Sequence, residues 1–164
     1  MPTIETINDP LVYELRDVYH PDKQLLKALP EIKKAAKDED LKGAVDSHLA
    51  ETQKQVELLE KAFSLLGVAA RAKKCEAMEG LVEEGQEIKE EEMDEQLRDL
   101  ALIGAAQKVE HYEMAAYSTL CELAEASAHG DVQSIFEEIL QEEVSADQKL
   151  SEITASIRQS VPVA

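Results

Sequence analysis

The sequence predicts an all-α protein: four long helices in two antiparallel hairpins, joined by a long crossover that contains a short helix. Three observations lead there. Hydrophobic residues make up 44% of the chain but aromatic ones only 4%, and the abundant Ala, Leu, Glu and Lys lose little rotamer freedom in a helix. Apolar residues recur three and four apart over four long stretches, and no stretch alternates apolar with polar as a half-buried strand would. The 164 residues are the length of one domain, so 1–164 reads as a single helical unit with a loose tail from about 158.

The first helix is expected over 8–37, with Asn8 or Asp9 as its cap, Pro10 in its first turn and Leu15, Val18, Leu25 and Leu29 on its apolar seam. Pro21 and Pro30 each remove a backbone donor, which predicts a kink or a split. "KDED", 37–40, is the turn. A second helix, 40–66, carries Val45, Leu49, Val56, Leu59, Phe63 and Leu66, and Gly67 suits the left-handed residue that ends it. Residues 68–96 are too many for a hairpin turn; they predict a crossover between the ends of a bundle, with a short helix over 75–90. A third helix, 96–128, runs through Leu102, Ala106, Val109, Ala116, Leu120 and Leu123. "AHGD", 128–131, is a tight turn at Gly130, and a fourth helix, 131–157, is capped by Asp131 and uses Ile135 or Phe136, Leu140, Val144, Leu150 and Ile153. Two helical hairpins joined by one long crossover is the connectivity of ferritin-like bundles.

The formal net charge of −18 argues against nucleic acid and anionic lipid as partners and makes an acidic, solvated coat. No apolar run is long enough to span a membrane, and "MPTIETINDP" lacks the basic start and apolar block of a signal peptide. Cys75 and Cys121 stand far apart in no metal motif, so a reducing, cytoplasmic setting is the expectation.

Polar residues occupy steps of the apolar seams. Position 22 on the first helix is Asp22; on the second, His48 and Gln55 flank Thr52 with Glu51 at the same edge; the third carries Glu110 and Glu113; the fourth carries Glu143 and Asp147. At a rise of about 1.5 Å per residue, Glu113 and Asp147 lie at similar distances from the last hairpin turn, and Glu51 and Asp22 compatibly from the first. Glu14 is farther off and ranks as a substitute. Singly, each acid reads as a side chain that snorkels or pairs with Lys, and His48 as a satisfied interfacial histidine; His20 and His111 read as surface residues. Converging from four helices, these carboxylates cannot all ionise unless cations offset them. Oxygen donors with a little nitrogen suit two iron ions, or manganese.

These residues also carry a resemblance. "LRDVYHPDKQLLKALPEI", "HLAETQKQVELLEKAF", "KKCEAMEGL", "ALIGAAQKVEHYEMAAYSTL" and "EEILQEEVSADQKL" resemble the YciF-type family of ferritin-like proteins over nearly the whole chain. The resemblance implies a ferritin-like four-helix bundle, usually a homodimer, with a rubrerythrin-like dinuclear metal site and a link to bacterial stress responses. Position by position it implies Asp22 on the first helix, where Glu is more usual; His48, Glu51 and Gln55 on the second; Glu110 and Glu113 on the third; Glu143 and Asp147 on the fourth. The chain departs from the common Glu-x-x-His pattern: the triplets starting at Glu51 and Glu143 end in Lys54 and Ala146.

Two functions stay open. One is a di-iron protein that reacts with peroxide or oxygen, with Tyr117 or Tyr112 close enough to donate a hydrogen bond or an electron. It needs an external electron donor, because no Cys-x-x-Cys pair supplies a rubredoxin-type iron. The other is a non-enzymatic bundle, its metal structural or absent, that acts by association. Iron storage in a cage is a weaker third reading, since the crossover and the resemblance favour a dimer.

Overall fold

The chain runs through α1 (Asn8–Ala35), α2 (Glu39–Leu65), α3 (Glu76–Glu90), α4 (Glu95–Ala126) and α5 (Gly130–Ile157). The computed structural model describes residues 4–161, and among them there is no strand. α1 packs along α2 and α4 along α5; α2 also meets α5 and α1 meets α4, which closes a four-helix ring. α3 belongs to the crossover and lies across α1 and α4. None of these helices is long and apolar enough to cross a membrane.

α1 stays one helix through both prolines, so of the two expected outcomes, a kink or a split, the split does not occur. Pro21 is buried with its helix against the bundle, where packing offsets the missing bond. One turn earlier the Arg16 carbonyl accepts the Lys73 N–H of the crossover at 2.9 Å. Neither Asn8 nor Asp9 caps α1: Ile7 holds that position without a side-chain bond, and Asp9 turns back to accept the N–H groups of Glu5 and Thr6. Asp38 caps α2 by accepting the Leu41 N–H. The buried carboxylate of Asp99, on α4, clamps the α1–α2 turn by accepting the N–H groups of Lys37 and Asp38, both at 2.8 Å.

α2 ends as its sequence predicts. Gly67 has φ +67°, with Val68 N–H bonded to Phe63 O and Gly67 N–H to Ser64 O, the paired bonds of a Schellman stop. The α4–α5 turn uses the same two bonds, His129 to Ala124 and Ala128 to Glu125. Here the expectation fails: the left-handed residue is Ala128, at φ 59°, while Gly130 opens α5 and Asp131 lies within its first turn, not at its cap. A Cβ in that region costs about 1 kcal/mol. Ala128→Gly is therefore expected to stabilise the protein by about 1 kcal/mol, or roughly 2–4 °C in Tm, read by thermal melts of the two proteins side by side.

The predicted loose tail is in part ordered. Ser160 N–H bonds Ile157 O and Val161 packs against the core; positions 162–164 lie outside the described residues.

The core has two halves. One gathers Leu11, Leu15, Leu59, Phe63, Tyr117, Leu120, Phe136 and Ile139. The other gathers Leu25, Leu29, Leu41, Val45, Leu102, Ile103, Leu150 and Ile153. Each long helix passes from the first half to the second through a short buried polar step: Asp22 on α1, His48 to Gln55 on α2, Glu110 and Glu113 on α4, Glu143 on α5.

Candidate metal centre

The polar step is one layer across the bundle. His48, Glu110, Glu113 and Glu143 each bring a donor atom within 4.8 Å of one another. Helical period explains the set: Glu110 and Glu113 sit one turn apart on the side of α4 that also buries Leu102, Val109 and Tyr117. Asp22 adjoins the set from α1; its carboxyl contacts that of Glu113, and its Oδ2 accepts the Tyr117 hydroxyl at 3.0 Å. Gln55 donates to Glu143 Oε1 at 2.6 Å and to Glu142 Oε2 at 3.0 Å. His48 Nε2 is 3.5 Å from Glu110 Oε1, and its Nδ1 is 3.8 Å from Glu51 Oε2.

These side chains are under-satisfied. Buried polar atoms without a hydrogen-bond partner include one on Asp22, two on His48, one on Glu110, two on Glu113 and one on Glu143. Buried polar atoms are normally paired, so a cluster of this kind in one layer requires an explanation. Among the described residues no Lys or Arg pairs with Asp22, Glu110, Glu113 or Glu143; the partner of the layer is not a protein cation other than His48.

Burial dominates the electrostatics. It lifts the Asp22 carboxyl to about 7, against relief from Glu113 and Tyr117. Burial and neighbouring carboxylates push Glu110 and Glu113 well above the usual range and raise Glu143 as well. For His48, burial alone would lower the imidazole, but Glu51, Glu110 and Glu143 outweigh it and raise it to about 9. Without a metal the layer favours bound protons: burial favours the neutral carboxyls of Asp22 and Glu113, and the carboxylates around His48 favour its imidazolium. A divalent cation would replace that positive charge and use the free lone pairs. The donor chemistry, carboxylate oxygen with one imidazole, fits iron or manganese.

Not every residue expected in the layer lies in it. Glu51 stands at the rim, its side chain 39% exposed beside His48. The buried register of α2 is His48, Thr52 and Gln55, so Thr52-x-x-Gln55, rather than the triplet starting at Glu51, faces inward. Asp147 is also at the edge: it accepts Gln107 Nε2 at 3.0 Å and faces the exposed His111 at 3.2 Å. Four residues past Glu143 is about 40° of helical rotation, enough to carry it out of the layer. Glu14 is away from it, beside Asp17 and Lys73. Of the two tyrosines, Tyr117 reaches the layer, whereas Tyr112 points to the crossover and bonds Asp17 and Cys75, both at 2.9 Å. His20 is no free surface residue, since its Nδ1 accepts the Cys75 N–H at 3.3 Å. The rotation of Gln55 onto Glu143 had one sequence signal, its place three residues after Thr52.

Comparison with known proteins agrees with this architecture. A profile described as "Domain of unknown function (DUF892)" matches residues 6–161. Protein YciF of Escherichia coli is 40% identical over 151 residues, 92% of this chain and 91% of YciF. The crystal structure of the E. coli stress protein YciF superposes with a TM-score of 0.92 at 38% identity, covering 96% of this chain and all of that one. YcfI from Rhodopseudomonas palustris gives 0.88 at 40% identity, covering 92% and 96%. A two-domain protein from Anabaena variabilis with DJ-1/ThiJ/PfpI-like and ferritin-like domains gives 0.60 at 18% identity, covering 97% of this chain and 39% of that one; this likeness concerns the fold alone.

Proposed function

The chain belongs to the family described as Domain of unknown function (DUF892), and from that premise we propose that it is a stress-associated ferritin-like protein that holds two metal ions in the polar layer of its bundle. Iron is the expected metal and manganese the alternative. The observation that carries this reading is the set of unpartnered buried donor atoms on Asp22, His48, Glu110, Glu113 and Glu143. The stress link rests on the E. coli relative, which is described as a stress protein. His48, Glu110, Glu113 and Glu143 would hold the metals with Asp22, while Glu51 and Asp147 stand at the rim outside that set.

Bound iron would supply electrons for reducing peroxide or oxygen. The chain's own residues do the rest. Gln55 holds one oxygen of Glu143 and so orients the other. Tyr117 donates its hydroxyl proton to Asp22 and keeps that carboxyl in place. The apolar halves of the core flank the layer on both sides and lower the dielectric around it, which strengthens the charge interactions within it. An outside reductant completes any turnover. The protein is proposed to work in the cytoplasm as a homodimer.

Metal analysis of protein purified without added metal tests the reading. Two irons per chain, with peroxide consumed faster than by the metal-free protein, and loss of both in Glu113→Ala, are the expected results. The second reading, an association protein without a functional metal, is favoured by Thr52 and Gln55 on the inward face of α2, where carboxylate and imidazole ligands would otherwise stand. It predicts no metal and a chelator-insensitive melting temperature.

A further inference from the structure

A groove between α2 and α5 reaches down to the polar layer. It has a volume of about 500 Å³, and both His48 and Glu110 line it. The layer is otherwise closed: Asp22 and Glu143 are 0% exposed and Glu113 2%, while Glu110 at 3% and His48 at 6% form its outer side. Both of those side chains are more than nine-tenths buried, yet both His48 ring nitrogens and Glu110 Oε2 have no hydrogen-bond partner. The groove therefore ends on unsatisfied donor atoms.

Its walls and its charge point to one kind of occupant. Small residues, Gly43, Ala44 and Ser47 of α2 with Ser145 and Ala146 of α5, make up part of its walls, beside Leu29, Leu150 and Lys149. Glu39 and Asp40 stand at its mouth, with Lys149 as the lysine among its lining residues. The charges of Glu39 and Lys149 are partly met elsewhere, by Lys42 and Glu152. Glu51 also lines the groove, one turn past His48 along α2, half-buried at the rim with Oε2 3.8 Å from His48 Nδ1. With Glu39, Asp40, Glu51 and Glu110 against Lys149 the lining is net acidic, and an acidic low-dielectric cleft concentrates cations and speeds their capture.

We propose that this groove is the uptake path for the metal, and that Glu51 is a transit ligand which takes up the cation at the exposed rim and passes it to His48 and Glu110. The proposal rests on the reading of the layer as a metal centre. It gives Glu51 a role that its place at the rim does not give it as a permanent ligand.

Stopped-flow binding of Co(II) to the metal-free full-length protein, followed by d–d absorption, with release measured after excess chelator, tests it. Ser47→Leu fills the groove at an exposed position. It is expected to slow both uptake and release at least tenfold while leaving stoichiometry and Kd unchanged, because a path alters rates in both directions equally. Glu51→Gln is expected to slow uptake several-fold, to make it less sensitive to salt, and to leave two metals bound at saturation. Ser64→Leu, near the far end of α2, is expected to change neither rate. Wild-type rates in both Ser47→Leu and Glu51→Gln, with metal still bound, overturn the path and leave the metal centre standing. A changed Kd with an unchanged uptake rate in Glu51→Gln makes that residue an ordinary ligand and also overturns the proposal. Absence of Co(II) binding by the wild type overturns the path together with the centre it serves.

Discussion

Glu113→Gln is expected to move two measurements in opposite directions: the metal-free protein melts higher, and metal binds more weakly. Glu113 is 2% exposed, with both oxygens unpartnered, and its proton affinity is raised by burial, by Glu143 and by Asp22. At pH 8 the unfolded chain carries it ionised. Folding must either return a proton to it or bury the charge, and both cost free energy. Gln has the same shape with no proton to retain, and its amide can donate to the Asp22 carboxylate it meets. The expected gain is about 2 kcal/mol, or roughly 4–8 °C in Tm for a chain of this size. Removing a ligand oxygen should cost about 100-fold or more in metal affinity, beyond what outer-shell changes cost. Thermal melts in chelator and isothermal titration with Mn(II) give the two numbers. A residue that only packs would lose stability and leave affinity alone. If the metal-free Glu113→Gln protein melts lower than wild type, the strain assigned to this carboxyl is not there.

The second large effect is the dependence of metal-free stability on pH. Asp22 moves from an ordinary 3.8 to about 7 on folding, and His48 from 6.5 to about 9. In both cases the folded chain binds its proton more tightly than the unfolded chain does. Stability then falls as pH rises, because the folded state holds more protons through the whole interval. The Asp22 contribution is fully present below about 4 and fades up to about 7; the His48 contribution is fully present below about 6.5 and fades up to about 9. The metal-free Tm is therefore expected to decline from pH 5 to pH 9. Metal displaces those protons, so the rise in Tm on adding Mn(II) should grow over the same range. Calorimetry at four pH values, with and without metal, measures both slopes. A flat profile in chelator would mean that the layer keeps no extra protons.

Local chemistry accounts for the parts of the fold that were legible in advance. The ends and order of the helices follow from short-range rules: α3 falls at Glu76–Glu90 within one residue of expectation, and Gly67 takes its left-handed place. The α4–α5 turn ends α4 differently, on Ala128 in the left-handed region rather than on a glycine. Bonds from Ala128 and His129 back into α4 hold that register, and no residue preference forecasts them. Pro21 does not split α1 for a related reason, since a bond missing inside a helix is tolerated when the turn is buried against its neighbours.

The candidate site divides along the same line. Period alone turns positions 22, 110, 113 and 143 inward, and each is buried. It does not determine rotation to within the 40° or so that separates Glu143 from Asp147, nor which side of α2 meets α5. Packing of α2 between α1 and α5 decided that His48 and Gln55 face the layer while Glu51 stays at its rim.

The amino-acid order by itself determined four amphipathic rods, their crossover, and the presence of acids on the faces that must be buried, because these depend on spacing along one chain. Only the tertiary structure decided which donors converge, which of them stay unpartnered, and where the layer opens to solvent. Those depend on the relative rotation of separate helices, set by side chains far apart in sequence.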